Sequence, residues 1–413
     1  MLTRVPPVAV PIRARDLMRA ARELRAGKCG ARFRAALGER TGARAVALFS
    51  SGRAALAAAL AELARGSNRR EVVIPAYGCY TVPAAVVRAG LRVRLCDVSP
   101  ATLDLEPEAL RAALTPHTLA VVAIHPLGLP AAVARIGRLA HEAGAVVIED
   151  SAQLLGTEIG GGKAGSLGDL ALFSFGRGKP ITTLGGGALT TPREEFAELV
   201  RAAGRRPRGS LGSGLRKLSE AAIYSLLSHP AGFRLSEALP GLEVGATRFA
   251  PEFALAGLGE GAAALGLTLL ARVQELNTAR RARAQALWEA LDGLPGISAI
   301  RAAGPGERAP LRLALRVRPG LRDELLRALR AAGIGATRMY PASLAEVAEI
   351  APHLGPAPAR CPGAAEVARS LLTLPCYPGL ADSVIKRMQA VTERVVGAAR
   401  AAPRECRWPE TGP

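Results

Sequence analysis

Cysteine is scarce and scattered in this chain of 413 residues. The six cysteines form no CxxC pair and no cluster with histidine, so the sequence predicts neither a metal site nor a disulfide framework. Unpaired cysteines are typical of proteins that stay in a reducing compartment. We therefore expect the protein to be cytoplasmic.

Long hydrophobic runs are missing as well. No stretch of about 18 uncharged apolar residues occurs, which is the minimum for a transmembrane helix. Prolines and arginines interrupt residues 1–17 before any apolar run reaches the length of a secretion signal. We expect neither a membrane span nor secretion.

Aromatic residues make up only 4% of the chain, whereas the formal net charge is +19. Such a basic chain invites a nucleic-acid interpretation. However, acids are interleaved with the basic residues, aromatics are few, and no helix-turn-helix or zinc pattern occurs, so we expect no nucleic-acid partner. The charge instead reflects an arginine- and alanine-rich composition, which would help to attract anionic substrates.

The chain does contain 49% hydrophobic residues, enough for a sizeable core and more than one domain. Strand-like runs alternate with helical segments over residues 45–150, which predicts a mostly parallel sheet with right-handed crossovers. The last third of the chain reads as a long helix over 258–290 followed by a smaller α+β domain. The predicted divisions are an N-terminal arm and helix (1–30), a large domain (31–255) with a helical insertion (200–250), the long helix and small domain (256–400), and a tail (401–413).

The strongest functional signal lies between Ala145 and Thr191. A β-branched run there predicts a buried strand whose carboxyl end carries Glu149, Asp150 and Gln153. A second apolar run delivers Ser174 and Lys179 at its own end. Because ligands bind beyond the carboxyl ends of strands in open α/β sheets, these side chains are predicted to form one site.

An acid, a hydroxyl and a lysine in one site suit pyridoxal 5'-phosphate (PLP). Lys179 would bind the aldehyde of PLP covalently, and Asp150 would keep its ring nitrogen protonated. Once released, the Lys179 amine would serve as the general base of transamination. The alternatives are that Asp150 caps the next helix, that Gln153 is a surface residue, and that Lys179 is a solvated lysine.

A glycine turn earlier in the chain offers a place for a phosphate. Gly52 and Arg53 follow a predicted strand over 45–50 and open an alanine-rich helix. The free amides and the dipole at a helix N-terminus attract anions. A plain strand-to-helix turn is the alternative at this position.

Eight segments in the chain occur in the order in which one protein family carries them: SSGRAAL, VVIPAY, AGLRVRLCDVSPATLDLEPEAL, AIHPLG, VVIEDSAQ, GSLGDLALFSFGRGKPITTLGGGAL, GIGATRMYP and ARSLLTLPCYPGL. The chain thus resembles the DegT/DnrJ/EryC1/StrS sugar aminotransferases. The resemblance implies fold type I, in which a large α/β domain with a mostly parallel seven-stranded sheet joins a smaller C-terminal α+β domain. It also implies a homodimer that uses PLP to transfer an amino group from an amino-acid donor, glutamate, to a keto sugar nucleotide, in polysaccharide or glycan precursor biosynthesis.

The resemblance also assigns roles to individual residues. It places the cofactor phosphate at the amides around Gly52, Arg53 and Ala54, with arginine where the family usually has threonine. It implies that Gln153 contacts the ring hydroxyl of PLP and that Ser174 contacts the phosphate.

The residue that stacks on the cofactor ring departs from the family pattern. The aromatic position of the family is in register with Cys79, so we take the nearby Tyr77 as the cofactor-facing ring, with a purely structural tyrosine as the alternative. His125 and Asp97 also match family positions at strand ends, and we expect both to be structural.

Two further departures concern the substrate. Gly185 stands where family members carry a glutamate, and Leu255, Ala256 and Gly257 stand where they carry Asn-Tyr-Arg. Lys179 argues against the related dehydratases, which lack this lysine. The alternatives are a PLP enzyme for a non-sugar amino acid or ketone, and a non-catalytic PLP-binding regulatory or scaffold protein of polysaccharide assembly.

The segment 200–250 is longer than the usual family connection and contains an amphipathic helix with a basic entry. Such a helix could dock on an anionic membrane surface. It could equally pack over the site or against a partner subunit, and we favour packing.

Overall fold

A computed structural model describes residues 4–206, 212–228, 232–233, 248–355 and 360–401. The predicted tail beyond residue 401 and most of the insertion after residue 228 lie outside the described residues. Within the described parts of the chain, no helix is both long and apolar enough to cross a membrane.

The centre of the molecule is a seven-stranded sheet, as predicted. It contains β1 (Ala45–Phe49), β2 (Glu71–Pro75), β3 (Arg92–Cys96), β4 (Thr118–Ile124), β5 (Val146–Asp150), β8 (Leu170–Ser174) and β9 (Gly187–Thr191), while β6 (Glu158–Ile159) and β7 (Gly162–Lys163) form a separate ribbon. The strand order is β1-β9-β8-β5-β4-β2-β3, and only the pairs made by β9 are antiparallel. The carboxyl ends of β4, β5 and β8 therefore lie side by side.

The helices that precede the C-terminal part pack through apolar faces on the sheet or on one another. They are α1 (Ala14–Ala26), α2 (Cys29–Thr41), α3 (Gly52–Arg65), α4 (Thr81–Arg88), α5 (Pro107–Ala113), α6 (Val133–Glu142), α7 (Ala197–Ala203) and α8 (Gly212–Ser228). Helix α3 is nearly all alanine and leucine over its first nine residues, and residues 54–60 are buried against the sheet. Small alanine side chains let this helix approach the strands closely.

The C-terminal part builds a second, antiparallel sheet with its own apolar core. Its elements are β10 (Ile297–Ala299), β11 (Arg312–Val317), β12 (Leu371–Pro375) and three helices, α11 (Leu321–Ala331), α12 (Pro362–Ser370) and α13 (Asp382–Ala401). Together with the large sheet, this arrangement confirms the predicted fold class.

The single long helix predicted over 258–290 was wrong, because the structure divides it into α9 (Glu260–Leu270) and α10 (Val273–Glu289). The side chain of Arg272 at the break donates to Asp16 on α1, to the carbonyl of Pro11 and to Glu275. Helix α9 is apolar and packs among α1, α2 and α8, whereas α10 contacts the small domain. Tertiary contacts thus redirect a segment whose local sequence contains no proline or glycine at the break.

Candidate active site

A cavity of about 740 Å³ opens where the large sheet meets the C-terminal domain. It brings together all but one of the predicted site residues: Gly52, Arg53, Tyr77, Asp150, Gln153, Ser174 and Lys179. Ala54 is fully buried in α3 behind the cavity wall. The predicted strand-end cluster therefore forms one concave site.

Asp150 ends β5 and lies in the cavity wall, almost completely buried. Its Oδ1 accepts the N–H of Ala152 at 3.0 Å, and residues 152–156 form turns rather than the helix that Asp150 could have capped. Burial raises the pKa of Asp150, while the positive charge of Lys179 opposes this rise. The cavity thus pairs a buried acid with a cationic amine.

Lys179 lies on the loop that follows β8. Its backbone N–H donates to the carbonyl of Gly176 at 3.3 Å, so the lysine sits at the end of a tight turn. Gly178 in this turn has φ +74° and lies against Val8, where a Cβ would come within 2.6 Å of the valine side chain. The N-terminal arm therefore packs directly on the lysine loop.

Glu149, next to Asp150, was expected to project at the ligand-binding edge, but it does not line the cavity and has a role that the sequence did not reveal. It is completely buried, and its carboxylate accepts five hydrogen bonds, from His125 Nε2, Ser151 Oγ and the N–H groups of Gly165, Leu167 and Gly168. Burial alone would raise the pKa of Glu149, yet these hydrogen bonds and the neighbouring histidine lower it. An acid that directly follows the apolar residues 146–148 within the same strand was the available signal for this network.

His125 has the structural role expected of it. Its Nδ1 accepts the N–H of Ala131 at 2.9 Å, so the ring proton is on Nε2, which donates to Glu149 at 2.9 Å. Asp97 is structural too, because its carboxylate accepts the N–H groups of Gly363 and Ala364 at the start of α12.

The turn before α3 is shaped as a cradle for an anion. Ser51 caps the helix by accepting the Ala54 N–H at 3.2 Å, so this amide already has a partner in the chain. The first N–H groups, of Gly52 and Arg53, have no carbonyl partner within a helix. A Cβ on Gly52 would lie 3.0 Å from the Cβ of Ser174, so glycine is what allows the turn to meet the end of β8.

Arg53 lines the cavity, but its guanidinium is held to one side. The guanidinium carbon lies 4.6 Å from the centre of the Phe253 ring, a cation–π contact. This contact orients the arginine at the edge of the phosphate cradle.

Tyr77 and Cys79 both line the cavity. The hydroxyl of Tyr77 donates to the carbonyl of Arg338 at 3.1 Å and accepts the N–H of Tyr340 at 3.3 Å, while the two tyrosine rings meet edge to face. The Cys79 thiol lies 3.0 Å from the hydroxyl of Thr81. Tyr77 thus joins the large domain to the cavity-lining loop of the small domain.

The segments that depart from the family pattern lie near the cradle. Gly185 and Gly186 have φ values of +139° and +120°, in the region that favours glycine. The carbonyl of Ala256 accepts the N–H of Ser50 at 2.8 Å, and Gly257 pairs with Phe49 at the end of β1. These residues contribute backbone rather than charged side chains at this edge of the site.

The residues present fit PLP. This cofactor needs a lysine, a carboxylate near its ring nitrogen and an anion site for its phosphate. The cavity offers Lys179, the buried carboxylate of Asp150, the N-terminus of α3 and the hydroxyl of Ser174 at the end of β8. Gly52 at that N-terminus cannot be replaced by a larger residue without displacing Ser174. Lys179 would hold the aldehyde carbon, Asp150 the ring nitrogen, and the Gly52 turn with Ser174 the phosphate.

Comparisons with known proteins agree with this fit. The family model described as "DegT/DnrJ/EryC1/StrS aminotransferase family" matches residues 13–225 and 253–393. Among solved structures, the chain is similar to the sugar aminotransferase CalS13 from Micromonospora echinospora, with 25% identity, 94% of this chain and 99% of that chain covered, and a TM-score of 0.73. It is similar to DesI, solved in the presence of its TDP-sugar product, with 26% identity, 97% and 94% coverage, and a TM-score of 0.74. It is also similar to the aminotransferase TlmJ from Streptoalloteichus hindustanus, with 25% identity, 96% and 99% coverage, and a TM-score of 0.75.

Proposed function

Because the chain belongs to the DegT/DnrJ/EryC1/StrS aminotransferase family and is therefore a PLP-dependent enzyme, we propose that it moves an amino group from glutamate to the keto group of a nucleotide-linked sugar. The observation that carries this proposal is the single cavity shared by Lys179, buried Asp150 and the Gly52 turn. We further propose that the product serves polysaccharide or glycan precursor biosynthesis.

The proposed chemistry divides among the residues of the cavity. When bound, PLP supplies an electron sink for the carbon that exchanges its amino group. Asp150 would keep a proton on the ring nitrogen, and its nearness to that charge would be worth about 4 kcal/mol at an effective dielectric near 20. Nζ of Lys179 would take the proton from the donor carbon in the first half-reaction and would deliver a proton to the acceptor carbon in the second. Gln153 and Ser174 would orient the ring and the phosphate, and Tyr77, which lines the cavity, would face the ring.

The charge of the cavity supports an anionic substrate. Among the described residues, its lining includes five arginines and Lys179 but only one carboxylate, that of Asp150; the arginines are Arg53, Arg177, Arg312, Arg330 and Arg338. Guanidinium groups match the geometry of phosphate oxygens, so this surplus suits a nucleoside diphosphate sugar together with a dicarboxylic donor. The similar enzyme DesI, whose product is a TDP-sugar, supports the same class of substrate.

A second candidate keeps the cofactor and changes the acceptor. Gly185 and the segment 255–257 offer only backbone and apolar side chains near the cradle, where the family pattern has polar ones. This observation favours a smaller ketone, or the keto acid that corresponds to a non-sugar amino acid, as the alternative acceptor.

The test is a half-reaction followed by an acceptor screen. Purified wild type loaded with PLP is expected to show the absorption band of the lysine-bound cofactor, and glutamate should abolish the band while releasing one 2-oxoglutarate per site. Lys179→Ala should lack both signals, whereas the control Lys163→Ala, at a lysine whose ammonium binds the carbonyl of Glu39, should retain them. Turnover with keto sugar nucleotides but not with simple ketones would support the proposal, and the reverse would favour the second candidate.

We also propose that the enzyme is a cytoplasmic homodimer. Three large apolar side chains on the outer stripe of α8, Leu215, Ile223 and Leu226, are exposed, which is typical of an interaction surface. Sedimentation velocity is expected to give a dimer, and sedimentation with anionic vesicles is expected to leave the protein in solution. A monomer that binds the vesicles would instead support membrane docking of this segment.

A further inference from the structure

Arg280 on α10 is fully buried beneath the loop that carries Lys179. Its Nη2 donates to the carbonyl of Pro180 at 2.8 Å and lies 3.4 Å from the carbonyl of Lys179 itself. Its Nη1 donates to Oδ1 of Asn277 at 3.0 Å, one turn earlier on the same helix. The guanidinium therefore binds the backbone at the lysine and at the residue that follows it.

Asn277 also binds a second loop, the one that follows β5. Its Nδ2 donates to the carbonyl of Leu155 at 2.9 Å, within the turns that follow Asp150. The neighbouring Gly156 packs so closely on α10 that a Cβ there would lie 2.9 Å from Val273. Two side chains on one face of α10 thus hold the loops that follow β5 and β8.

The guanidinium of Arg280 has an unusual set of partners. No carboxylate of the described residues pairs with it, and burial lowers its pKa to about 10, so it still carries its charge at neutral pH. A buried charge is costly unless polar groups compensate it. Here the compensation comes from the carbonyl oxygens of the lysine loop and from Asn277, so the loop cannot move away without leaving a buried cation unsolvated.

We infer that Arg280, supported by Asn277, is a positioning residue that fixes the backbone of Lys179 relative to Asp150. The inference rests on the proposed function only in that both assign the chemistry to Lys179. Its consequence is a loop that is already in place before cofactor or substrate binds, and a misplacement of about 1 Å at a reacting group can cost about 100-fold in rate.

The experiment compares Arg280→Gly with Arg281→Gly, which truncates the next arginine of α10 and introduces the same helix-weakening glycine. Arg281 contacts Thr278 and Glu307 instead of the lysine loop. In the apoprotein, hydrogen exchange of peptides spanning residues 176–183 is expected to be at least about tenfold faster in Arg280→Gly than in wild type or Arg281→Gly. This readout needs neither cofactor nor turnover, so it remains informative if the sugar acceptor is misassigned.

Two further readouts separate positioning from general damage. In Arg280→Gly, kcat for the glutamate half-reaction is expected to fall by about 100-fold, while the Kd for PLP changes by less than about tenfold. Millimolar guanidinium ion is expected to restore part of the activity and of the exchange protection of Arg280→Gly, and to do neither for Arg281→Gly. Equal exchange in the two variants, or a loss of activity that guanidinium does not reverse, would overturn the inference.

Asn277→Ala covers the case in which Arg280→Gly does not fold. This variant keeps the guanidinium but removes its support and the bond to Leu155. Faster exchange over both 152–156 and 176–183 is expected. Unchanged exchange over both segments would contradict the inference without any need for the arginine variant.

Discussion

Nε2 of His125 lies 2.9 Å from Oε1 of Glu149, and neither side chain has any exposed surface. The two residues belong to the carboxyl ends of neighbouring parallel strands, where Ile124 pairs with Asp150. The carboxylate of Glu149 also accepts hydrogen bonds from the backbone of residues 165–168, so it joins three segments next to Asp150. The position of Asp150 in the cavity depends on this buried network.

Glu149→Gln should therefore destabilise the protein. An amide cannot accept all five hydrogen bonds, and its NH₂ group would face backbone N–H donors, so we expect the free energy of unfolding to fall by about 2–4 kcal/mol at pH 7. Denaturant titration measures this change. Glu108→Gln, at a glutamate in an exposed pair with Arg111, is the control and should cost less than about 1 kcal/mol.

The difference in the free energy of unfolding between wild type and Glu149→Gln should depend on pH, because the pKa of Glu149 is lowered in the folded protein. A carboxylate whose pKa is lower in the folded state stabilises the fold above its ordinary pKa of 4.5, and this stability is lost as the pH falls through the folded value. The gap between wild type and Glu149→Gln should hence be widest near neutrality and shrink below pH 4.5. A gap that does not change with pH would show that the glutamate acts through its shape alone.

Asp150→Asn should separate stability from activity. Burial raises the pKa of Asp150, so above that pKa the ionised side chain costs stability in the apoprotein, and below the ordinary value of 3.8 this cost disappears. We expect the apo variant to have a Tm no lower than wild type at pH 7.5. The rate with glutamate should fall by about 1000-fold, the equivalent of about 4 kcal/mol. A Tm below that of wild type would contradict the expectation for stability, and wild-type activity would contradict the assignment of Asp150 to the ring nitrogen.

Gly52→Ala tests the phosphate cradle. The added methyl group would lie 3.0 Å from the Cβ of Ser174, so one of the two elements must move away from the anion position. We expect the Kd for PLP to rise at least about tenfold, a loss of about 1.4 kcal/mol, as measured by absorption titration. Gly66→Ala, after the other end of α3, meets nothing within 4 Å and should leave the Kd unchanged. Equal affinities in the two variants would place the phosphate elsewhere.

The predicted strands and the predicted position of Lys179 depended on local sequence patterns, and the folded structure retains the elements that these patterns indicate. The apolar runs before Asp150 and Ser174 became adjacent parallel strands, and parallel strands align their carboxyl ends at one sheet edge. The cavity position of Lys179 followed from its place in the loop after β8. By contrast, the break at Arg272 arises from contacts with α1 that lie 256 residues away in the sequence.

Residue types at short spacing were thus enough to predict the α/β class and to place Asp150 and Lys179 at the sheet edge where the cavity opens. Only the tertiary structure decided which buried polar groups support them, namely Glu149 with His125 and Arg280 with Asn277. The physical reason is that a buried charge is identified by its partners, and those partners come from loops and helices that are distant in the sequence. Among 54 lysines and arginines, no local pattern distinguishes Arg280; the carbonyl oxygens that it binds do.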